Sequence, residues 1–381
     1  MDALMLPSNW QRVRLGDILS YEQPTKYLVA TTQYLQKGFT PILTAGKTFI
    51  LGYTNDKHGI YTNIPVIIFD DFTTDSKMVN FPFKVKSSAI KILSLRDNNQ
   101  ADLKYIYEKL TLLKHQVTDH KRYWIDEFSN FEIPLPPLNE QIAIANILSA
   151  LDRYLCALDA LILKKESVKK ALSFELLSQR KRLKGFNQNW QKVRLGDICE
   201  FGNGGAYETL IVENGDFKLI SLNSIDIDGN LKNTMKRVNF YDNSLKQDDI
   251  VMVLSDVAHG DFLGLCAVIP SNDYVLNQRM GRLRKRNDCI NILFLRLYIN
   301  ANQKYFKMQG QGSSQLNLSK KAIEDFEILL PPLNEQIAIA NILSDVDNEI
   351  ISLKNKKRQF ENIKKALNHD LMSAKIRVLK K

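Results

Sequence analysis

The chain has 381 residues, with 52 Lys+Arg against 42 Asp+Glu and a formal net charge of +10. That length suits about two or three domains, and a composition of 44% hydrophobic and 25% charged residues excludes a disordered tail. No apolar run reaches the roughly 18 residues that would cross a bilayer, and residues 1–10 lack a basic segment followed by an apolar one, so a cytoplasmic, membrane-free protein is expected.

The chain opens on Asn9-Trp10-Gln11-Arg12-Val13-Arg14-Leu15-Gly16-Asp17-Ile18, which returns at 189–198 with a single change, Arg12 to Lys192. The run LPPLNEQIAIANILS at 135–149 returns unchanged at 330–344, now 195 residues on. The chain is therefore two halves in tandem. The stretches between these landmarks, roughly 19–130 and 199–325, do not resemble each other. Matching frames around unlike inserts suggest one kind of partner met twice and two different ligands.

Each insert reads as a compact α+β domain. Pro65-Val66-Ile67-Ile68-Phe69 and Ile250-Val251-Met252-Val253-Leu254 are short β-branched runs, set among turn signals such as Asn203-Gly204-Gly205 and Asp228-Gly229-Asn230. After Pro136-Pro137 and Pro331-Pro332, Asn139 and Asn334 are placed as N-caps. Apolar residues then recur at heptad spacing. The first copy has Leu148, Leu155, Ile162, Lys169, Leu176 and Leu183 at a, and Ile144, Leu151, Leu158, Lys165, Leu172 and Gln179 at d. The second has Leu343, Ile350, Lys357, Lys364, Leu371 and Val378 at a, and Ile339, Val346, Leu353, Phe360, Leu367 and Ala374 at d. This pattern predicts two long helices that pair as a coiled coil, the alternative being two separate amphipathic helices on globular cores. The expected divisions are a first domain at 1–138, a helix at 139–185, a second domain at 186–333 and a second helix at 334–381.

Catalytic motifs are scarce. The Pro-Pro pairs are followed by leucine and open helices, unlike the NPPF or DPPY turn of a DNA methyltransferase. Phe201-Gly202-Asn203-Gly204-Gly205 fits neither FxGxG nor GxGxxG and reads as a β-turn, and no GxxxxGK[ST] is present. Asp70-Asp71-Phe72-Thr73-Thr74-Asp75-Ser76-Lys77 offers carboxylates and a lysine, but too closely spaced for a metal nuclease. Cys156, Cys199, Cys266 and Cys289 form no CxxC pair and are expected as free buried thiols. The chain thus reads as a binding protein without catalysis and without a metal.

Recognition chemistry is better represented. Asn277 and Gln278 precede Arg279, Arg282, Arg284, Lys285 and Arg286, and these side chains suit bidentate base contacts and phosphate neutralisation. Arg282 and Arg284 alternate, which would set both on one face of a strand. His120, Lys121, Arg122, Tyr123 and Trp124 mix charge with stacking surface, and Ser313, Ser314 and Gln315 lie in a flexible polar loop. Lys47 and Lys77 complete the candidate DNA contacts.

These residues resemble the specificity subunit of type I restriction–modification systems over essentially the whole chain. The motif that carries most is Pro-Leu-Pro-Pro-Leu-Asn-Glu-Gln at 134–141 with its partner at 330–336; the opening motif and Gly310–Leu318 followed by Ser319-Lys320-Lys321 are also similar to the family. The first domain departs from the last of these, with His120–Trp124 in its place. The resemblance implies double-stranded DNA as ligand, each domain reading half of a split site, and an α+β fold whose two long helices pair as an antiparallel coiled coil that fixes the gap between the halves. It further implies two modification subunits docked on the repeated frames, at Leu138, Asn139, Glu140, Gln141 and at Leu333, Asn334, Glu335, Gln336. Adenine methylation with S-adenosylmethionine, and ATP- and Mg2+-dependent restriction by motor subunits, would lie in those partners. A coiled-coil scaffold that binds no DNA and a self-sufficient restriction enzyme are the competing readings. Charge is uneven: the segments 139–185 and 334–381 each hold +4, whereas 1–138 holds +2 and 186–333 holds 0.

Overall fold

The computed structural model describes residues 6–30, 32–44, 48–113, 122–257 and 260–379. Two compact units emerge, one of Met1–Ala160 with Lys354–Lys381 and the other of Leu161–Leu353. Among the described residues no helix is long and apolar enough to cross a membrane.

In the first unit the opening motif forms a strand, Gln11–Arg14, paired antiparallel with Glu132–Leu135. Between them lies a four-stranded sheet in the order Leu19–Glu22, Ile90–Leu95, Val66–Asp70, Ser76–Val79. A three-stranded sheet follows the order Ile50–Thr54, Thr40–Leu43, Lys84–Val85, its last pair parallel. Every residue of Val66–Asp70 is buried, as its unbroken apolar run requires of a strand covered on both faces. Phe69, Tyr105, Trp124 and Phe128 fill the core below it.

The second unit repeats this plan on unrelated residues. Gln191–Arg194 pairs with Glu327–Leu330. The four-stranded sheet runs Cys199–Asn203, Met280–Lys285, Ile250–Val253, Cys266–Val268. The three-stranded sheet runs Lys236–Val238, Phe217–Ile220, Tyr274–Leu276, again with its last pair parallel. The second unit also pairs Ser255–Val257 with Gln315–Asn317. The two inserts thus differ in sequence and agree in topology, each with a short, wholly buried β run, Val66–Asp70 or Ile250–Val253, as an inner strand of its four-stranded sheet.

The long helices span Leu138–Leu177 and Leu333–Met372. They start earlier than an Asn139 cap would have them, since the N–H groups of Glu140 and Gln141 donate to Pro137 O at 2.9 and 3.1 Å, and those of Glu335 and Gln336 to Pro332 O at 2.9 and 3.0 Å. The Asn139 amide oxygen accepts only from Glu140 N–H. They also end earlier: Gln179 (φ 61) and Ala374 (φ 60) adopt the left-handed conformation at matching positions and stop both helices. The heptad positions at Leu183 and Val378 therefore fall outside them.

Within each unit an N-terminal stretch of one helix packs against a C-terminal stretch of the other. In the first unit Tyr154 and Phe360 rings lie 4.6 Å apart, Asp159 pairs with Lys357 at 2.6 Å, and Asp152 pairs with Lys364 at 2.5 Å. In the second, Lys165 meets Glu349 at 2.7 Å and Lys169 meets Asp347 at 2.5 Å. The pairing is antiparallel in both, and all four lysines that interrupt the heptad pattern find an acid on the facing helix. Polar residues at a positions fix register at some loss of stability. In the first unit Asp152 also binds Lys104 at 2.7 Å, and the buried Glu108 accepts from Lys104 at 2.5 Å and Asn368 at 3.0 Å.

Cys199 and Cys266 are buried, and burial pushes the Cys199 thiol up to about 12. Cys156 and Cys289 are exposed, against the expectation of four buried thiols. An acid-titration prediction follows from Asp152. Burial pushes its carboxyl up, but Lys104 and Lys364 outweigh that and hold it below its usual range. Its contribution is present above the unfolded carboxyl pKa of about 4 and is lost as pH falls through the lower folded value. Asp152→Asn is expected to flatten the acid limb of urea-melt stability against pH; an unchanged acid limb would contradict this.

Candidate nucleic-acid interface

The repeated frame is organised around one carboxylate per unit. Glu140 Oε2 accepts from the Trp10 indole N–H at 3.1 Å, and Arg377 donates to Glu140 through Nε at 2.7 Å and NH2 at 3.0 Å. In the second unit Trp190 donates to Glu335 at 3.0 Å, and Arg182 donates through Nε at 3.1 Å and NH2 at 2.6 Å. Next to it, Gln141 accepts from Asp102 N–H at 2.9 Å and donates to Gln100 O at 3.1 Å and Pro136 O at 2.8 Å. Gln336 does the same with Asn291, Cys289 and Pro331. Glu140, Gln141, Glu335 and Gln336 are thus buried and spent inside the chain, which corrects the expectation of four outward, partner-facing side chains. Leu138 is half-buried, and Asn139, Leu333 and Asn334 are exposed. The outward face of the identical run is Asn139, Ile142 and Asn146 in one copy and Asn334, Ile337 and Asn341 in the other. Ile142 is 42% and Ile337 37% exposed. Arg182 and Arg377, 195 positions apart, carried a sequence signal that the heptad count passed over.

The arginine cluster of the second unit is largely neutralised. Arg282 and Arg284 do share one face of the strand Met280–Lys285, as their alternation implies. That face meets acids: Arg284 forms two bonds to the buried Asp249 at 2.8 and 2.6 Å, and Arg282 binds Glu200 at 2.6 Å. The Asp249 bond holds the Arg284 guanidinium above its usual range. Lys285 pairs with Asp288, and Arg286 donates to Gly196 O and Cys199 O. Asn277 is buried and fixed by Tyr207 N–H and Glu208.

Gln278 and Arg279 are exposed, and so are Ser313 and Ser314. The fold brings these two sets together. Leu254 donates its N–H to Arg279 O at 3.0 Å and accepts from Leu318 N–H at 2.8 Å. The next residues, Ser255–Val257, pair with Gln315–Asn317. Gln311 and Asn317 close the loop with mutual backbone bonds of 3.0 and 2.9 Å, leaving Ser313 and Ser314 at its tip and Gln315 half-buried in its arm.

In the first unit Lys77 sits 4.8 Å over the Phe49 ring, Tyr123 is buried, and Arg122 is exposed just before the short helix Tyr123–Asp126. Lys47, His120 and Lys121 lie outside the described residues. Asp71 binds Lys91 at 2.6 Å and accepts from Trp124 N–H, and Asp70 accepts from Phe72 N–H and Thr73 Oγ1. These carboxylates hold the fold. Sequence reasoning missed Lys86, 5.8 Å over Tyr34, in the segment that joins Lys84–Val85 to Ile90–Leu95. It occupies the place that Asn277–Arg279 holds in the second unit.

A family model described as the type I restriction modification DNA specificity domain matches residues 7–166 and 187–362. The specificity subunit of an Escherichia coli type I restriction enzyme is 32% identical, over 87% of this chain and 85% of its own length. A type I specificity subunit of Methanocaldococcus jannaschii is 28% identical over 99% and 95%. In fold the chain is similar to a crystal structure of a type I restriction–modification S subunit from M. genitalium, at a TM-score of 0.66 and 20% identity over 97% of this chain and 98% of that one.

Arg284→Met separates the structural arginines from the exposed ones. It leaves the buried Asp249 with the Lys246 N–H but without its counter-ion, and is expected to lower stability by about 2 kcal/mol, with sequence preference in DNA binding unchanged. Thermal unfolding and competition binding check the two halves of that expectation.

Proposed function

Because the chain belongs to the type I restriction–modification DNA specificity family, we propose that each of its two sheet domains reads one half of a bipartite site in double-stranded DNA. The long helices set the unread gap between the halves, as dimer geometry sets half-site spacing in other DNA-binding proteins. Two adenine methyltransferase subunits dock on the repeated frames, one on the stripe of Asn139, Ile142 and Asn146 and one on that of Asn334, Ile337 and Asn341. Methylation with S-adenosylmethionine after base flipping, and ATP- and Mg2+-dependent restriction by motor subunits, belong to those partners, and this chain contributes no catalytic group. A cytoplasmic location goes with that role.

The observation that carries this reading is the contrast between frame and insert. The same carboxylate, glutamine and outward stripe recur in both units, while the sheets between them share a topology and no sequence. An unchanging partner surface and a changing ligand surface account for both facts. The nearly neutral reading domains suit base-edge recognition, with phosphate contacts supplied locally.

Two expected outcomes follow. Removing one heptad from each helix, residues 157–163 and 352–358, keeps the a/d phase and shortens each by about 10 Å. Methylome sequencing of a host carrying the variant and its methyltransferase should show both half-sites intact and the gap shorter by about three base pairs; an unchanged gap rejects the spacer role. The purified chain alone, supplied with DNA, S-adenosylmethionine, ATP and Mg2+, should neither methylate nor cleave, and either activity would reject the non-catalytic role.

A further inference from the structure

Only Asn277, Gln278 and Arg279 connect the last strand of the three-stranded sheet, Tyr274–Leu276, to Met280–Lys285 in the four-stranded one. The turn is this tight because glycines form its floor. Gly204 N–H donates to Met280 O at 3.2 Å, Gly205 N–H to Leu276 O at 3.1 Å, and Gln278 N–H to Gly205 O at 2.6 Å. A Cβ on Gly204 would stand 2.1 Å from Asn277 O. The glycine run after Phe201, which fits no nucleotide loop, therefore serves to seat this turn.

Arg279 is held there at φ 66, a left-handed conformation that favours glycine and that a residue with a Cβ adopts only against steric strain. The fold thus keeps an arginine where glycine would be easier. It is exposed. Among the arginines of 186–333 it alone has a guanidinium without a hydrogen bond or ion pair to any described residue; Arg194, Arg237, Arg282, Arg284, Arg286 and Arg296 are all engaged. Glu208 is tied to the same turn, accepting from the Asn277 side-chain amide at 2.9 Å, and its carboxyl is held below the usual range first by the Gln278 side chain, then by backbone, by Asn277 and by the Arg279 charge. A carboxylate on the same turn disfavours a DNA phosphate there and leaves a neutral base edge as the better acceptor for the guanidinium. The exposed tip at Ser313 and Ser314 lies at the same end of the sheet.

We infer that Arg279 is the principal base-reading side chain of the second domain, and that it takes the O6/N7 edge of a guanine in the major groove. This rests on the specificity-subunit reading above. The glycine floor and the buried Asn277 hold the turn rigid, so the guanidinium is presented without ordering a loop on binding.

The test uses the full chain with its methyltransferase partner and competition binding on duplexes. One set replaces each base pair of the second half-site in turn, and a control set replaces those of the first. Arg279→Gly suits the backbone, so its melting temperature should equal or exceed that of the natural chain. It should lose about 10- to 100-fold of discrimination at one G·C pair of the second half-site, and none in the first half-site. Arg279→Lys should keep affinity and lose the same discrimination, because an ammonium lacks the planar fork. Equal weakening on all duplexes with a smaller salt slope would mark a phosphate contact and overturn the inference, as would unchanged discrimination or a fall in melting temperature. A natural complex that fails to discriminate among the duplexes would remove the specificity-subunit reading itself.

Discussion

A charge cannot be buried without a partner, and this chain buries one carboxylate at the first turn of each long helix. Glu140 is completed by Trp10 from 130 residues earlier and Arg377 from 237 residues later. Glu335 is completed by Trp190 and Arg182. Closing these sites forces the opening motif, the start of one helix and the segment after the other helix to meet. The neighbouring glutamines tie the helix start to the connection ahead of a short helix, through Asp102 in one unit and Asn291 in the other. Everything between is free to vary, provided that it begins on a strand such as Gln11–Arg14 and returns on one such as Glu132–Leu135.

A second constraint comes from lysines at positions that a coiled coil normally fills with apolar residues. Each meets an acid on the facing helix, and the matched pairs Lys169–Asp347 and Lys364–Asp152 occur once per unit. The units are not equal, however. In the first, Lys104 and Glu108 extend the network from the short helix Leu103–Leu110. In the second, the corresponding helix Ile292–Ala301 carries Leu293 and Leu297 at the same distances from its Asn291 cap. Two halves with an identical run of fifteen residues are thereby kept distinct, because the C-terminal helix segment finds its full set of charges only in the first unit.

Much of this was legible in the sequence. The repeat, the two helices, their pairing and the buried runs at Val66 and Ile250 follow from spacing alone, and the antiparallel sense of that pairing from the family resemblance. The shared sheet plan did not, because topology depends on where buried strands fall and the two inserts place them with different residues. Helix ends were missed since Gln179 and Ala374, not glycine, take the left-handed cap. The arginine cluster misled for a physical reason. Its charge is local in sequence, but the acids that cancel it, Glu200 and Asp249, stand 82 and 35 residues away. The motif Asn-Glu-Gln was read as a docking surface, whereas two of its three side chains close the frame and the asparagine faces out.

The net charge takes on a different meaning once its parts are assigned. The helical segments hold most of the +10, yet four of their lysines are committed to register. The excess lies on outward side chains such as Lys164, Lys170, Lys356 and Lys365, all exposed, with Lys170 and Lys365 at matching positions of the two copies. Such charges act on a polyanion without regard to sequence and fade as salt rises. Discrimination must then come from the nearly neutral domains, and in the second of them six of the seven arginines are already bound to the chain's own acids and carbonyls. That division keeps non-specific attraction on the arms. It leaves the second recognition domain with few free guanidinium groups that would hold it to the wrong bases, so a single unpaired one on a tight turn counts for more than a cluster would.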